Sequence, residues 1–502
     1  MWHQNTALLP NCQGNLNLFK RNSKSEHLLN GRKTYSLIVQ LKRIFKGMSV
    51  FVNRSLNLKQ ISLIGFDMDY TLVRYDTQGF ESLSHSFAIK LLVKDYGYPK
   101  DLLELQFDPL RAMVGLVIDK RNGNLLKLSR YGKVKMAYHG LEPLDFRVMQ
   151  KIYQNMAVEL SNPDFIPLDT SFAISTGVLF SQVVDLKTQG ILLPDYGKIA
   201  QDVGEAVDMV HRNGSLKEVI RKDLSRYVIP DPLVPGLLER YKDYGKKLII
   251  ITNSDYSYTK DLLEHALDPF WKNHKSWRDV FDLVITLADK PRFFERPGRF
   301  LKIDPDTGLM SNWEGSIATG IFQGGWFRPL QKELGLEGRE ILYVGDHIYG
   351  DVVSIKKRCD WRTALVLSDL ENEIQSLTAA KDLQRDIDLL MERKEMIESK
   401  INRMDLDRYE GRPSERSLLE ALFDESDKIN QEISEKLKSY RSYFNPYWGE
   451  VLRSGQEESR YAGQIDGYAC IYMTKVSDLY HHSPKTYFRP RRRLMPHERE
   501  YS

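Results

Sequence analysis

The chain has 502 residues, of which 42% are apolar, 11% aromatic and 28% charged. This composition is typical of a folded globular protein and excludes a disordered or collagen-like chain. The formal net charge of +4 is small for this length, and no apolar run reaches the roughly 18 residues that a membrane-spanning helix needs. The three cysteines, Cys12, Cys359 and Cys470, include no CxxC pair, which argues against a disulfide framework or a thiolate zinc site and favours the cytosol.

Residues 1–47 form a polar, basic segment in which Glu26 is the only acid. Three interpretations stay open for it. Translation starts at Met48 and the segment is mis-assigned, or the segment is a disordered tail, or it is a targeting or membrane-surface segment built on the basic amphipathic stretch Tyr35–Phe45. It has no continuous apolar core of the kind found in secretory signals.

Short apolar runs that end in acids or small polar residues predict the core of the fold. Three of them span 62–69, 247–255 and 340–351, and a fourth run follows at 363–367. Continuous apolar runs indicate strands that are covered on both faces, as in a parallel α/β sheet. We therefore expect a catalytic core built from 48–76 and 245–370.

The stretch between the first two runs, 77–244, is far longer than a single crossover and predicts a second lobe, or cap, over the strand ends. Within it, Asp119–Val134 has the turn residues of a hairpin, and Ile199–Ile220 has the composition of a helix.

Beyond the core, 371–445 predicts a helical extension. A long surface helix or helical hairpin over 371–404 is favoured over a coiled-coil partner site. The remaining segment, 446–502, is expected to pack back on the core and to end in a basic tail with Arg489 and Arg491–Arg493. Without interleaved aromatic residues, this tail predicts a solvated or subunit-facing patch and not an RNA site.

Asp67 and Asp69 directly follow the first predicted strand, and two carboxylates so close together repel each other. A hard cation such as Mg²⁺ would relieve this repulsion, since it prefers oxygen ligands. One carboxylate can then attack phosphorus while the other moves a proton. A pair of acids in an ordinary turn is the alternative interpretation.

Polar residues also follow the other strands. The carboxyl ends of parallel strands meet at one edge of the sheet, so these residues are expected to share a cleft. Thr252 and Asn253 offer hydrogen-bond donors for phosphoryl oxygens, and Lys290 can neutralise charge during phosphoryl transfer. Asp346 and Asp351 supply further oxygen ligands for a metal.

The order of these motifs resembles the haloacid dehalogenase superfamily, and the match extends to its cytosolic, IMP/GMP-preferring purine 5′-nucleotidase family. The segments that carry this resemblance are "GFDMDYTL", "TNSDYSYT", "DKPRFF", "GDHIYGD", "KKR…WRT", "VH…GSLKE", "LRSG" and "LMPHE". The resemblance implies a Rossmannoid parallel sheet with a large α+β cap inserted after the first strand. It also implies a Mg²⁺-dependent phosphoric monoester hydrolase acting on nucleoside monophosphates.

The resemblance also implies roles for individual residues. Asp67 would be the nucleophile and Asp69 the general acid/base. The Mg²⁺ ion would be held by Asp67, the Asp69 carbonyl and Asp346, with Asp351 supporting them. The phosphoryl group would be bound by Thr252, Asn253, Ser254, Lys290 and Lys217, and the base would be contacted by Asp208, His211 and Phe172.

Two positions depart from the family pattern. Gly204 stands where an arginine is expected, and Arg212 stands where an aromatic residue is expected. Both leave the preferred base open, so a phosphatase of sugar phosphates or other small phosphoesters stays an alternative, as do nucleoside phosphotransfer and a non-catalytic binding module. We expect a cytoplasmic homo-oligomer, a dimer or a tetramer, with no nucleic-acid or membrane partner.

Overall fold

The computed structural model describes residues 50–413 and 415–499. From Val50 onward these residues belong to one compact unit. The interpretations of 1–47 lie outside the described residues, as does Cys12. Among the described helices, none is both long enough and apolar enough to cross a membrane.

The described residues contain twenty-one strands, which are numbered in chain order. They are β1 (Val50–Val52), β2 (Leu56–Asn57), β3 (Leu63–Phe66), β4 (Arg74–Tyr75), β5 (Val117–Asp119), β6 (Asn124–Leu128), β7 (Val134–His139), β8 (Glu142–Pro143), β9 (Phe165–Pro167), β10 (Val228–Ile229), β11 (Lys247–Ile251), β12 (Leu283–Thr286), β13 (Phe300–Ile303), β14 (Met310–Asn312), β15 (Gly320–Gly324), β16 (Ile341–Gly345), β17 (Arg362–Val366), β18 (Arg453–Ser454), β19 (Glu457–Glu458), β20 (Ile471–Met473) and β21 (Tyr487–Phe488).

The α-helices are numbered in the same way. They are α1 (Thr77–Asp95), α2 (Phe146–Tyr153), α3 (Ile174–Thr188), α4 (Tyr196–Arg212), α5 (Ser215–Lys222), α6 (Leu224–Tyr227), α7 (Leu233–Asp243), α8 (Tyr256–Ala266), α9 (Trp277–Val280), α10 (Arg292–Glu295), α11 (Phe327–Leu334), α12 (Ser354–Arg358), α13 (Leu370–Ala379), α14 (Lys381–Tyr409), α15 (Arg416–Arg441), α16 (Arg460–Tyr468) and α17 (Pro496–Arg499). A π-helical turn, Ile348–Val353, precedes α12.

Ten strands form the main sheet, in the order β1-β20-β17-β16-β3-β11-β12-β15-β13-β14. The seven strands from β20 to β15 are parallel, and antiparallel strands lie at both edges. Along the central strands, Ile64, Leu248 and Ile250 pack into one apolar cluster, while Leu63, Ile249 and Ile251 pack into another. Both faces of the sheet are therefore covered, which confirms the predicted α/β fold class.

The segment between β3 and β11 carries a second sheet of five antiparallel strands, in the order β8-β7-β6-β5-β9. The predicted hairpin lies within β5, β6 and β7. The stretch 199–220 is helical, as predicted. It is not one helix, however, because it is divided between α4 and α5. Gly214 lies between them with φ of 83°, a left-handed conformation that glycine adopts without the strain of a Cβ atom.

After the main sheet, α14 and α15 pack against each other through their own apolar cluster of Ile397, Ile401, Leu422, Ile429 and Ile433. This pair is a helical hairpin, as favoured from the sequence. The chain then returns to the main sheet, where β20 lies between β1 and β17. The limits given above for the catalytic core, the cap and the extension stay predictions.

Candidate active site

The candidate site lies at the carboxyl ends of four parallel strands. Asp67 follows β3, and Asp346 follows β16, which pairs with β3 on one side. On the other side β3 pairs with β11, which Thr252 follows. Next to β11 is β12, and the loop after it carries Lys290. The topology therefore brings these four residues to one edge of the sheet, where ligands of open α/β sheets bind.

Lys290 is the centre of this cluster. Its Nζ lies 2.8 Å from Asp67 Oδ1 and 2.8 Å from Asp351 Oδ1, and it donates to the Tyr343 hydroxyl at 3.1 Å. Burial lowers the pKa of Lys290, but the Asp351 and Asp67 carboxylates outweigh burial and hold that pKa well above its ordinary value. The ammonium group therefore stays charged between the two acids.

The loop that carries Lys290 is fixed by Asn253. The Lys290 backbone N–H donates to Asn253 Oδ1 at 2.6 Å, and Asn253 Nδ2 donates to the Lys290 carbonyl at 3.1 Å. Both hydrogen-bonding groups of the Asn253 amide are thus used in holding the lysine loop against the end of β11.

Three buried carboxylates form a compact group beside this ammonium. One oxygen each from Asp67, Asp346 and Asp351 lies within 4.8 Å of the other two. Burial, together with the charges of Asp351 and Asp69, raises the pKa of Asp67 to about 7 against the opposing effect of Lys290. Burial and the charges of Asp67 and Asp351 raise the pKa of Asp346 well above its usual value.

Three carboxylates and one ammonium leave this group with excess negative charge when all are ionised. Hard carboxylate oxygens in close array are the donor set that Mg²⁺ prefers. The Asp346 carboxylate is further fixed by the Thr170 hydroxyl, which donates to its Oδ2 at 3.1 Å. These residues therefore fit a divalent cation by donor type, charge and spacing.

Asp69 lies beside this group, and its carboxylate is held by two hydroxyl groups. Tyr75 donates to Oδ1, and Ser254 donates to Oδ2 at 2.8 Å. Burial raises the pKa of Asp69, while these two hydrogen bonds and the charges of Lys217 and Lys290 oppose that rise. Asp69 is 9% exposed, and both of its carboxylate oxygens contact hydroxyl donors.

The remaining predicted phosphate ligands lie close by. Thr252 is fully buried, and its hydroxyl accepts from the Ser254 backbone N–H at 3.1 Å. Lys217, on α5, pairs with Asp255 at 2.6 Å, and its ammonium lies 5.0 Å from the centre of the Tyr258 ring.

The three residues predicted to contact a base divide into two groups. Phe172 and His211 belong to an aromatic cluster in which their ring centres are 5.4 Å apart and Phe80 adjoins both. Asp208 instead lies on an exposed face of α4, where it pairs with Arg212 at 3.0 Å. The structure therefore brings two of the three together.

The His211 side chain has one free nitrogen among the described residues. Its Nδ1 lies 2.8 Å from the Val207 carbonyl, so Nδ1 carries the proton, while the buried Nε2 has no hydrogen-bond partner. Burial lowers the pKa of His211 and keeps the ring neutral. The unpaired Nε2 is then available as an acceptor.

Sequence reasoning missed four residues that contact the site. Tyr343 is the only polar side chain in β16, which was a usable signal of its role beside Lys290. Tyr258 lies within the motif "TNSDYSYT" but was not singled out there, and Thr170 and Tyr75 gave no such signal, because nothing in their local sequence separates them from ordinary core or loop residues.

Comparisons with known proteins identify a family. The model of a family described as the 5′ nucleotidase family matches residues 50–500. A 5′-nucleotidase domain-containing protein of Dictyostelium discoideum is 29% identical over 456 residues, which cover 89% of this chain and 74% of that protein. 5′-Nucleotidase domain-containing protein 2 of Homo sapiens is 27% identical over 468 residues, which cover 90% and 85%.

Among solved structures, a predicted phosphoglycolate phosphatase from Haemophilus somnus is 15% identical, with 61% of this chain and 85% of that chain covered and a TM-score of 0.26. An archaeal β-phosphoglucomutase from Pyrococcus is 13% identical, with 61% and 86% covered and a TM-score of 0.28. At these TM-scores, nothing about this chain is inferred from the two structures, and its fold class is taken from its own sheet topology.

Proposed function

The chain belongs to the 5′ nucleotidase family, whose members are phosphoric monoester hydrolases, and on that premise we propose that it hydrolyses nucleoside 5′-monophosphates with the help of Mg²⁺. The observation that carries the proposal is the buried Lys290 ammonium, held 2.8 Å from both Asp67 and Asp351. A permanent positive charge beside a candidate nucleophile and three carboxylates suits the transfer of a dianionic phosphoryl group.

In the proposed reaction, Asp67 and Asp346 would hold the cation through carboxylate oxygens and Asp69 through its backbone carbonyl, with Asp351 supporting them. When bound, Mg²⁺ neutralises the charge of the phosphoryl oxygens. Asp351 is proposed as a supporting residue because its ion pair with Lys290 occupies one of the two Asp351 carboxylate oxygens.

The phosphoryl group is bound by Lys290 and by the residues after β11. Asn253 holds the loop that carries Lys290. Thr252 and Ser254 are the chain neighbours of Asn253, and the Ser254 backbone N–H donates to the Thr252 hydroxyl. Asp67 attacks phosphorus and forms an aspartyl-phosphate, and Asp69 protonates the leaving oxygen. Asp69 then takes a proton from the water that releases phosphate.

A purine nucleoside is the proposed leaving group. Phe172 offers a ring face for stacking, and the free Nε2 of His211 offers an acceptor for a base N–H. Lys217 is proposed to approach the phosphate, for which it would leave its partner Asp255. Asp208 is the weakest of the proposed base contacts, because Arg212 already pairs with it on the helix surface.

A phosphate-release assay tests the proposal. IMP, GMP, AMP, pyrimidine monophosphates and sugar phosphates are compared, each with Mg²⁺ and with excess EDTA. We expect purine monophosphates to give the highest kcat/KM and EDTA to abolish release. Equal rates for purine monophosphates and sugar phosphates would favour the alternative, a phosphatase of small phosphoesters, which stays open because Gly204 stands where the family pattern has an arginine.

Phosphotransfer from the aspartyl-phosphate to a nucleoside is a further proposed activity. Incubation of a nucleoside monophosphate with a labelled nucleoside separates it from hydrolysis. Label in a new monophosphate is the expected result, and label that stays in the nucleoside would show that water is the only acceptor.

We also propose a cytosolic location and a homo-oligomeric state, a dimer or a tetramer. Two free, buried cysteines, Cys359 and Cys470, suit a reducing compartment. The oligomeric state follows from the resemblance described above and is testable by light scattering of the full chain.

A further inference from the structure

Each oxygen of the Asp69 carboxylate accepts from a hydroxyl group, one of a serine and the other of a tyrosine. Oδ2 accepts from Ser254, which lies on the loop after β11 among the residues proposed to bind phosphate. Oδ1 accepts from Tyr75, which follows Asp69 by six residues in the chain and lies in β4. The proposed reaction needs Asp69 to carry its proton on one particular oxygen, so these two partners are not equivalent.

Tyr75 is held firmly. It lies in β4, which pairs with β10, and it is 5% exposed. Its ring packs at 5.1 Å from that of Tyr70 and at 4.9 Å from that of Phe80. The backbone pairing and the two ring contacts together fix the direction of the Tyr75 hydroxyl.

A second tyrosine determines how the Tyr75 hydroxyl uses its proton. The Tyr258 hydroxyl lies 3.3 Å from it. A phenolic hydroxyl has one proton to donate and can also accept. Since the Tyr75 proton goes to Asp69, Tyr258 must be the donor in the contact between the two tyrosines. The hydrogen bonds therefore run from Tyr258 to Tyr75 to Asp69 Oδ1.

On the basis of the proposed function, we infer that Tyr75 is a positioning residue for the general acid. By donating to Oδ1, Tyr75 makes that oxygen the carbonyl oxygen of the acid and leaves the acidic proton on Oδ2, where the rotatable Ser254 hydroxyl turns its own proton away. Oδ2 is the oxygen on the side of Ser254, where the phosphoryl group is proposed to bind. Tyr258 supports this arrangement by donating to Tyr75.

The proposed first step is balanced as follows. An Asp67 oxygen forms a bond to phosphorus, and the bond between phosphorus and the ester oxygen breaks with its electron pair going to that oxygen. The proton on Asp69 Oδ2 passes to the same oxygen, which leaves as an alcohol. In the second step, water gives one proton to Oδ2 while its hydroxyl oxygen bonds to phosphorus, and the bond from phosphorus to Asp67 breaks with its electron pair going to the Asp67 carboxylate, so phosphate leaves and Asp69 is protonated again.

Leaving-group dependence of Tyr75→Phe tests this role. A nucleoside leaves as a basic alkoxide and needs the proton, whereas 4-nitrophenolate leaves without one. We expect kcat to fall about 10- to 100-fold on the nucleoside monophosphate, a part of the 10²- to 10⁴-fold typical of general acid catalysis. On 4-nitrophenyl phosphate the fall should be less than about threefold. A purely structural defect would lower both rates equally.

Tyr98→Phe is the matched control. The Tyr98 hydroxyl also donates to a buried carboxylate, that of Asp202, at 3.0 Å, but it lies outside the site. We expect this variant to keep both rates. A wild-type protein inactive on both substrates would contradict the proposed function. An active wild type with equal losses, or no loss, in Tyr75→Phe would overturn the role of Tyr75 alone.

Should Tyr75→Phe fail to fold, as judged from thermal unfolding, Tyr258→Phe gives the same answer. It leaves the donor to Asp69 in place and removes only the donor to Tyr75. We expect a loss of about two- to tenfold in kcat on the nucleoside monophosphate, again with little change on 4-nitrophenyl phosphate. Equal effects on both substrates would overturn the proposal.

Discussion

Two clusters of the candidate site are built in different ways. They are the strand-end cluster of Asp67, Asp346, Asp351 and Lys290, and the aromatic cluster of Phe80, Phe172 and His211. At the strand ends, Asp67, Lys290 and Asp346 are brought together by neighbouring parallel strands and are tied by ion pairs and short hydrogen bonds. In the aromatic cluster, Phe172 and His211 come from separate helical segments and meet through ring packing. The proposed phosphoryl chemistry thus depends on the sheet, while the proposed recognition of the leaving group depends on side-chain packing that substitutions can alter.

This comparison predicts that a change at the strand ends has the largest effect. Asp67→Asn removes the proposed nucleophile with little change in size. We expect phosphate release from every substrate to fall by at least about 10³-fold, as when other covalent nucleophiles are removed. Asp427→Asn, an exposed acid on α15, is the control and should keep full activity. Residual release near the wild-type rate would contradict the proposed nucleophile.

The pH dependence of Mg²⁺ binding tests the same cluster. Burial raises the pKa of Asp67 to about 7 in the folded protein without metal, so below that pH the carboxyl is mostly protonated. A cation ligand must be deprotonated. We therefore expect Mg²⁺ affinity, measured by titration calorimetry, to rise by at least about tenfold per pH unit up to about 7, and to keep rising above that pH for as long as Asp346, whose pKa is also raised, is still losing its proton. An affinity independent of pH over this range would exclude Asp67 as a ligand.

At the aromatic cluster, the effect should be confined to the nucleoside. Phe172→Ala removes a stacking face, and base–aromatic stacking is worth about 1–3 kcal/mol. We expect KM for a purine monophosphate to rise about tenfold or more, while KM for a sugar phosphate stays within about twofold. Parallel steady-state measurements on both substrates check this. An equal rise for both would mean that Phe172 supports the site as a whole.

The smallest effect is expected on the outer face of α4. Arg212→Ala breaks the exposed pair with Asp208, and exposed pairs at this helical spacing contribute about 0.3–0.5 kcal/mol. The free energy of unfolding, measured with urea, should change by no more than that. KM for a purine monophosphate should stay within about twofold. A larger change in KM would assign this face of the helix to base binding.

The same division explains what the sequence predicted. Continuous apolar runs followed by acids were sufficient to locate β3, β11 and β16 and the residues after them, because parallel strands share an edge. The fold class was predicted in the same way and the family from the resemblance of the motifs, and both are confirmed. The roles of the individual site residues stay predictions.

The rest depended on tertiary contacts that no local pattern contains. Tyr75 follows Asp69 by six residues, but the strand that carries it is held by pairing with β10, more than 150 residues later in the chain. The pairing of Asp208 with Arg212 was hidden for another reason. A helical spacing of three residues placed Asp208 near His211, but the packing of α4 turned Asp208 towards solvent.

The position of β20 has a consequence for synthesis on the ribosome. Among the described strands, β1 reaches the main sheet only through β20, which lies between it and β17. Strand β1, the first of the described strands to leave the exit tunnel, must therefore wait for β20, near residue 471, before it pairs with the main sheet. At about 5–20 residues per second, this delay is on the order of tens of seconds. During that time β1 is free to bind chaperones, and the edge of β17 is free as well in the shorter interval between the synthesis of β17 and that of β20.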